Sequence, residues 1–325
     1  MSTLRATAPD HLSDVAGNGR REPVGTAGGR RLTDESGYTH YRIGEVRVAL
    51  RSDRPDVLEE FASLYSPTAA PSDEVTSDCD VIHMEVRQHR SLLGMRRFEV
   101  LGDNVSVKTV RSRRELLPYL EWGINYRLIA RPSRYLLIHA ASLARNGQGY
   151  IFCGASGAGK STLAAALIAR GWTYRCDEFA LIDRQTLRMH AFPKALCIKA
   201  GSFPLMAKLN LPLRRDRCYV KALKGRVGYV NPPSASQPGG DTSVPVKHVF
   251  FPMFRGGTQP RLFDVSPAKA TMILAGQALN RSTVGPQTIP LLSRVVSDAP
   301  CYGLESGTLE STCEMIESAT APAGK

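Results

Sequence analysis

Two different periods of hydrophobic and polar positions occur in the first third of the chain. Alternation at every second position is typical of half-buried strands, whereas apolar side chains three and four residues apart are typical of amphipathic helices. The predicted elements are a strand at 42–50, a helix at 56–65, strands at 80–87 and 98–101, and a helix at 114–130. Together they predict a small α+β N-terminal domain over residues 38–130.

The pattern changes from Tyr135 onward, where long apolar runs alternate with glycine-rich turns. An apolar stretch, a turn with two glycines and a second apolar run predict two strands joined by a hairpin. An alanine-rich helix ending at a glycine and two short strands complete the prediction. The segments are 135–144, 146–149, 150–153, 161–170, 173–176 and 179–183. This order predicts an α/β domain over residues 131–318.

The two ends of the chain differ from these segments. Residues 1–37 are rich in Gly, Arg, Thr and Ala without an apolar period, so we expect a flexible tail, and residues 319–325 are expected to be a flexible C-terminus. With 42% hydrophobic and 22% charged residues, the composition excludes a wholly disordered or fibrous chain. No apolar run is long enough to cross a membrane, and no secretory signal or CxxC pair is present. We therefore expect a cytoplasmic protein with reduced cysteines and no membrane partner.

Positive charge is concentrated in the C-terminal part of the chain. The net charge is +12, and Lys194–Arg226 contains nine basic residues against Asp216 alone. Such a field attracts phosphates, acidic peptides or nucleic acids. Aromatic side chains are scarce there, which argues against a nucleic-acid partner. Two interpretations of Lys199, Lys224 and Arg226 stay open: they hold a phosphate or acidic peptide, or they form a solvated basic face.

Residues 154–161 have the sequence GASGAGKS and satisfy the phosphate-loop pattern GxxxxGK[ST]. A predicted strand precedes the loop and a predicted helix follows it, as the pattern requires. Glycines let successive backbone N–H groups face one phosphate chain, the helix N-terminus adds positive charge, and the lysine reaches the β- and γ-phosphates. The predicted nucleotide-binding residues are Gly154, Ala155, Ser156, Gly157, Ala158, Gly159, Lys160, Ser161 and Thr162. The Ser161 hydroxyl is a predicted Mg²⁺ ligand.

Two adjacent acids, Asp177 and Glu178, follow the predicted strand at 173–176. One helix and one short strand separate them from Lys160, so the chain returns them close to the phosphate loop. Such a pair can divide two roles, one carboxylate facing the metal and the other accepting a proton from an attacking hydroxyl. A solvated pair in a turn is the alternative.

The segment from His139 to Asp183 resembles a known family. Its His-Ala-Ala, the two strands leading into the phosphate loop, and Arg170-Gly171-Trp172 before the acids are similar to the HPr kinase/phosphorylase fold. They are more similar still to the HprK-related kinases, which include the kinases of lasso-peptide precursors. This resemblance implies a P-loop kinase domain of the PEP-carboxykinase-like type that transfers the γ-phosphoryl group of ATP to a serine hydroxyl. ATP and Mg²⁺ are the implied cofactors.

The resemblance also implies roles for individual residues. His139 falls on the family's active-site histidine, Lys160 on its phosphate-loop lysine and Ser161 on its metal-binding serine. Asp177 and Glu178 fall on its Asp-Asp pair, in which the second residue accepts the proton. Asp177 is thereby the second predicted metal ligand.

Two departures from the family pattern change what we expect. Cys197 stands where HPr kinases have a second Mg²⁺-binding glutamate, and a thiol is a poor ligand for a hard cation. A reverse phosphorylase activity is therefore not expected. The C-terminal region lacks a convincing HPr-recognition sequence, although residues 278–281 loosely resemble one, so HPr is not the expected substrate.

The leading hypothesis is an ATP-dependent serine/threonine kinase acting on a peptide or small protein. A small-molecule kinase on the same scaffold is one alternative. A nucleotide-binding regulatory or assembly ATPase, in which hydrolysis switches a conformation, is another. A homo-oligomer is left open by the sequence.

Overall fold

A computed structural model describes residues 33–65, 81–90, 94–214, 218–222, 224–232, 243–255 and 259–321. Of the expected flexible ends, only residues 33–37 and 319–321 fall within these ranges. The described residues belong to one compact unit that begins at Arg31. The domain boundary predicted after residue 130 stays a prediction.

The first part of this unit is a five-stranded sheet whose strands lie in chain order. Only the β2–β3 pair is parallel, and a helix stands between those two strands in the chain. A second helix follows the last strand and packs against β3 and β4. The elements are β1 (Thr39–Ile43), β2 (Val46–Ser52), α1 (Pro55–Tyr65), β3 (Val81–Arg90), β4 (Arg96–Gly102), β5 (Val105–Val110) and α2 (Leu116–Ala130). The structure therefore confirms the predicted helix at 56–65.

The single strand predicted at 42–50 is wrong, because Gly44 divides that segment into β1 and β2. Gly44 has a φ of +61°, and a Cβ there would overlap the carbonyl oxygen of Ala191. Only glycine fits such a turn without strain. The two strands pair as a tight hairpin with Ile43 opposite Val46. The alternation of apolar residues continues on both sides of the turn, so periodicity alone did not locate it.

The second large sheet has six strands and carries the phosphate loop. Its order is β17-β18-β16-β8-β7-β9, and β8, β16 and β18 are parallel neighbours at its centre. Helix α3 (Lys160–Ala169) follows β8 directly after the loop. The strands are β7 (Ala140–Arg145), β8 (Gln148–Cys153), β9 (Thr173–Cys176), β16 (Val246–Phe254), β17 (Arg261–Asp264) and β18 (Cys301–Ser306).

Two smaller sheets lie within the same unit, and further helices complete it. One sheet has the order β15-β11-β10-β6 and the other β12-β14-β13. Their strands are β6 (Tyr135–Ile138), β10 (Ala180–Asp183), β11 (Met189–His190), β12 (Leu196–Lys199), β13 (Tyr219–Lys221), β14 (Gly225–Val230) and β15 (Ser243–Val244). The helices are α4 (Phe203–Lys208), α5 (Pro267–Gln277), α6 (Arg281–Val284), α7 (Thr288–Ser297) and α8 (Leu309–Ala319).

The apolar stretch at 135–144 is broken at His139 rather than forming one strand of a hairpin. Its first half, β6, belongs to the four-stranded sheet, and its second half, β7, pairs with β8. The cause is the end of α5: the His139 N–H donates to the Gln277 carbonyl at 2.9 Å, and Ile138 forms a bridge with Ala278. This break places His139 between two sheets.

One buried hydrophobic cluster contains side chains from both sides of residue 130. Phe61 and Ile124 share one hydrophobic cluster with Leu137, Phe179 and Tyr229, so elements on both sides of residue 130 bury their apolar side chains together. The fold class is mixed α/β. Within the described ranges, every helix is too short or too polar to cross a lipid bilayer.

Candidate active site

The phosphate loop connects the carboxyl end of β8 to the first turn of α3. Gly157 and Gly159 have φ values of +90° and +84°, a region that L side chains rarely adopt. Lys160 is the first residue of the helix. The sequence folds this way because a buried strand, Gln148–Cys153, runs directly into glycines that reverse the chain, and the alanine-rich residues after them favour a helix.

The ammonium group of Lys160 is folded back onto its own loop. Nζ donates to the carbonyl oxygens of Gly154 and Ala155 at 2.6 and 3.0 Å. Burial of the side chain lowers the pKa of Lys160 below its usual value. The ammonium group is therefore hydrogen-bonded to two neutral carbonyl groups. A phosphate anion is a stronger hydrogen-bond acceptor and can replace them as the partner of Lys160.

The two acids at the end of β9 have different surroundings. The Asp177 side chain is almost completely buried: Oδ1 accepts from the Tyr174 hydroxyl at 3.1 Å and pairs with Lys194 Nζ at 3.0 Å. Its Oδ2 accepts from the backbone N–H of Cys197 at 3.4 Å. The Glu178 side chain keeps 24% of its surface exposed, with Oε2 at 4.0 Å from Lys194 Nζ. Glu178 is therefore the acid that remains accessible.

Charge controls the protonation of Glu178. Burial raises the pKa of Glu178, but the positive charges of Lys194, Lys221 and Lys224 outweigh that effect, and the resulting pKa is below the usual value. The carboxyl group is therefore an anion at neutral pH.

Asp177 belongs to a largely buried ion network, which we call the Lys194 network: Glu121, Asp177, Lys194, Lys221 and Tyr229. Lys194 Nζ pairs with Glu121 as well as with Asp177, and only 1% of either the Lys194 or the Glu121 side chain is exposed. The other Glu121 oxygen accepts from Lys221 Nζ at 3.1 Å and from the Tyr229 hydroxyl at 3.0 Å. The network joins helix α2 to the acids of the site.

Sequence reasoning missed Lys194 and Glu121. For Lys194 a single sequence holds no signal, because it is one of nine basic residues in its segment. Glu121 does leave a signal, since it lies on the same helical stripe as Leu117, Ile124 and Leu128, all of which are buried. A carboxylate on the apolar stripe of a helix indicates a buried partner.

His139 faces the site from the break between β6 and β7. Its Nδ1 lies 3.4 Å from Oε1 of Gln277. Burial, reinforced by the charge of Lys160, lowers the pKa of His139, so the imidazole is neutral at neutral pH. When Nδ1 carries the proton and donates to Gln277, Nε2 presents a lone pair.

Most of the predicted site residues line one cleft. They come from the β6–β7 break, the phosphate loop and the start of α3, the end of β9, β12, and the turn before β14: His139, Ser156, Gly157, Gly159, Lys160, Ser161, Thr162, Asp177, Glu178, Cys197, Lys199 and Lys224. Gly154, Ala155 and Ala158 are not part of this lining, although the first two hold Lys160. Arg226 is exposed and does not line the cleft. Burial raises the pKa of the Cys197 thiol to about 12, so it is protonated at neutral pH.

The cleft offers oxygen donors of the kind that Mg²⁺ prefers. Among the described residues, no group of three or more His, Cys, Asp or Glu side chains is arranged to hold a metal ion. Mg²⁺ in nucleotide sites needs fewer protein ligands, because phosphates and water supply the rest. Ser161, Asp177 and Glu178 provide suitable oxygens in the lining. Asp177 would have to share its carboxylate with Lys194.

A protein-family model matches residues 121–207. It is the model of the SynChlorMet cassette protein ScmC. The matched segment is little more than a quarter of the chain, and it runs from Glu121 through the phosphate loop to α4. It contains Asp177, Glu178 and Lys194, so the similarity covers most of the cleft. No protein with a curated description matches the chain.

Proposed function

We propose that this protein is an ATP- and Mg²⁺-dependent kinase of the HPr-kinase-like type that phosphorylates a serine or threonine hydroxyl of a peptide or small protein. One observation carries the proposal: Lys160 of the phosphate loop and the anionic, accessible carboxylate of Glu178 line the same cleft. The first is suited to binding the transferred phosphoryl group and the second to receiving a hydroxyl proton.

The phosphate loop would bind the triphosphate through its backbone N–H groups and the N-terminus of α3. Lys160 would leave the carbonyl oxygens of Gly154 and Ala155 and pair with the β- and γ-phosphates. Exchange of two neutral acceptors for a phosphate anion strengthens its hydrogen bonds. Among the described residues, both acceptors of the Lys160 ammonium group belong to its own loop, so this movement breaks no hydrogen bond to another element.

The metal would be held by the Ser161 hydroxyl and a carboxylate of the acid pair. Mg²⁺ neutralises the charge on the β- and γ-phosphates when it is bound. Asp177 and Ser161 both line the cleft with Lys160, which supports this assignment and leaves Glu178 free to accept a proton. Lys194 pairs with Oδ1 of Asp177, so Oδ2, which among the described residues accepts only a 3.4 Å hydrogen bond from the Cys197 N–H, would be the oxygen given to the metal.

In the transfer itself, the acceptor oxygen forms a bond to the γ-phosphorus as the bond to the β-phosphate oxygen breaks, and ADP leaves. The hydroxyl proton passes to the Glu178 carboxylate. Because the charge of Lys194 lowers the pKa of Glu178, this carboxylate is a weak base that is ionised at neutral pH. A weak base suffices, since the hydroxyl becomes acidic only as the phosphoryl group moves to it.

Lys199 and Lys224 support a peptide or protein acceptor with acidic groups. Both line the cleft next to Glu178. Neither is held in a salt bridge among the described residues, and two ammonium groups at a cleft mouth attract an anionic segment.

The test is transfer of label from γ-labelled ATP. Because the matched family is described as a cassette protein, the products of adjacent genes are the first acceptors to examine. Label in a serine or threonine of a small protein supports the proposal. Label in a metabolite favours the small-molecule kinase, and free phosphate alone favours the regulatory ATPase.

Glu178→Gln is the matching variant, because it keeps the size of the side chain and removes the proton acceptor. We expect kcat to fall about 10²–10⁴-fold with nearly unchanged ATP affinity. Glu59→Gln is the control, since Glu59 is exposed on α1. A Glu178→Gln protein with the wild-type kcat would remove Glu178 from the mechanism.

A further inference from the structure

A second cavity adjoins the active-site cleft on the other side of the phosphate loop. Gly157, Gly159, Thr162 and Ser202 line both spaces. At this shared wall, Thr162 Oγ1 and Ser202 Oγ lie 3.4 Å apart. A ligand bound along the loop can therefore extend from one space into the other.

The two spaces differ in chemistry. The cleft contains three lysines and two carboxylates. None of the described residues that line the second cavity is charged, and its walls are mainly apolar: Ala158, Leu163, Leu205, Phe254 and Leu309, with Ser306, Gly307 and Thr312. A polar space and an apolar space that share one wall match a ligand with one charged and one apolar end.

Phe254 differs from the other large apolar residues of the cavity because its side chain is largely exposed. It is the last residue of β16, and 66% of its surface is exposed. It pairs in register with Ser306, the last residue of β18, so both strands end at the cavity. An exposed aromatic ring at the rim of an apolar cavity offers a flat face for stacking.

We propose that the second cavity binds the nucleoside part of ATP and that the base lies against the ring of Phe254. The inference rests on the proposed function, because it takes the phosphate loop as the triphosphate site. It adds the position of the base, a part of the ligand that none of the sequence motifs locates. Leu205 of α4 and Leu309 of α8 would contact the base or the ribose.

Calorimetric titration with two ligands tests this inference. MgATP contains the nucleoside, whereas inorganic tripolyphosphate with Mg²⁺ presents only the phosphate chain. Stacking of a base on an aromatic side chain is worth roughly 1–3 kcal/mol, so Phe254→Ala should weaken ATP binding about 5- to 150-fold. The same variant should leave tripolyphosphate affinity unchanged, and Phe254→Trp should retain ATP affinity.

Met272→Ala is the matched control, because Met272 is 67% exposed on α5 and does not line either space. Equal ATP affinity in Phe254→Ala and the wild type would overturn the inference. Equal losses for ATP and tripolyphosphate would also overturn it, since they would indicate a disturbed loop. A raised KM for the acceptor without loss of ATP affinity would assign the cavity to the acceptor. If the wild type binds neither ligand, the proposed function itself fails.

Discussion

Replacement of Lys194 by Met removes the more deeply buried of the two cations of the Lys194 network and keeps most of the side-chain volume. Lys194 is the direct partner of Glu121 and Asp177, whose side chains are 1% and 2% exposed. Glu121 keeps Lys221 as a partner, but Asp177 loses the cation with which it pairs, and a charge left uncompensated in a buried ion pair costs about 3–5 kcal/mol. The total stability of a domain is about 5–15 kcal/mol, so the variant should fold with a much reduced margin.

Urea unfolding followed by tryptophan fluorescence measures this loss, because Trp172 is fully buried. With a slope of about 3 kcal/mol per molar urea, the midpoint should fall by about 1–2 M. Lys199→Met is the control: Lys199 is exposed, and its replacement should change stability by less than about 0.5 kcal/mol. If the free energy of unfolding of Lys194→Met lies within about 1 kcal/mol of the wild-type value, the change is no larger than that of an ordinary point mutant, and the energetic role of the network is refuted.

The pH dependence of the same difference gives an independent check. Burial raises the pKa of Glu121, but the charges of Lys194 and Lys221 outweigh it, and the folded-state pKa is below the usual value. Ionised Glu121 therefore stabilises the folded wild type at pH values above about 4.3, its pKa in the unfolded chain. This stabilisation is lost as the pH falls from that value toward the lower pKa of the folded state. The difference in free energy of unfolding between the wild type and Lys194→Met should be largest at neutral pH and should decrease below about pH 4.

Two further predictions concern stability away from the site. Asp183 is buried and pairs with Arg134 at 2.7 Å; burial raises its pKa, but backbone hydrogen bonds and Arg134 outweigh this and lower the pKa to about 2. Its stabilisation is present above the unfolded pKa of about 3.9 and lost as pH falls toward about 2, so the urea midpoints of wild type and Asp183→Asn should converge over that range. Gly44→Ala should destabilise the protein by more than the 1–2 kcal/mol typical of a left-handed residue, because its Cβ meets the Ala191 carbonyl. Gly94→Ala, at φ +73° with open space around it, should show only that smaller cost in the same unfolding assay, and equal costs would contradict the steric argument.

Local features of the chain could be predicted from its sequence. The phosphate loop is one continuous segment, and Asp177-Glu178 is separated from it by a single helix and strand. Helix α1 occupies the residues where apolar spacing predicted it. In each case the information lies within one segment, because backbone reversal at glycines and helical periodicity are local properties.

Features that depend on distant contacts could not be predicted. The turn at Gly44 is fixed by a close approach to Ala191, and the break at His139 by hydrogen bonding to Gln277. Lys194 finds Glu121 across 73 positions of the chain. Periodicity records which side chains face the core, and it does not record which buried charges meet there.

The central claim is that the cleft beside the phosphate loop is a nucleotide site organised by Lys160. Calorimetric titration of MgATP into the wild type and Lys160→Ala tests it most directly. Hydrogen bonds to a charged group contribute about 1.5–3 kcal/mol, so the variant should bind ATP about 10- to 150-fold more weakly while its urea midpoint shows that it still folds. ATP binding of equal affinity in the two proteins, or no binding by the wild type, would contradict the claim.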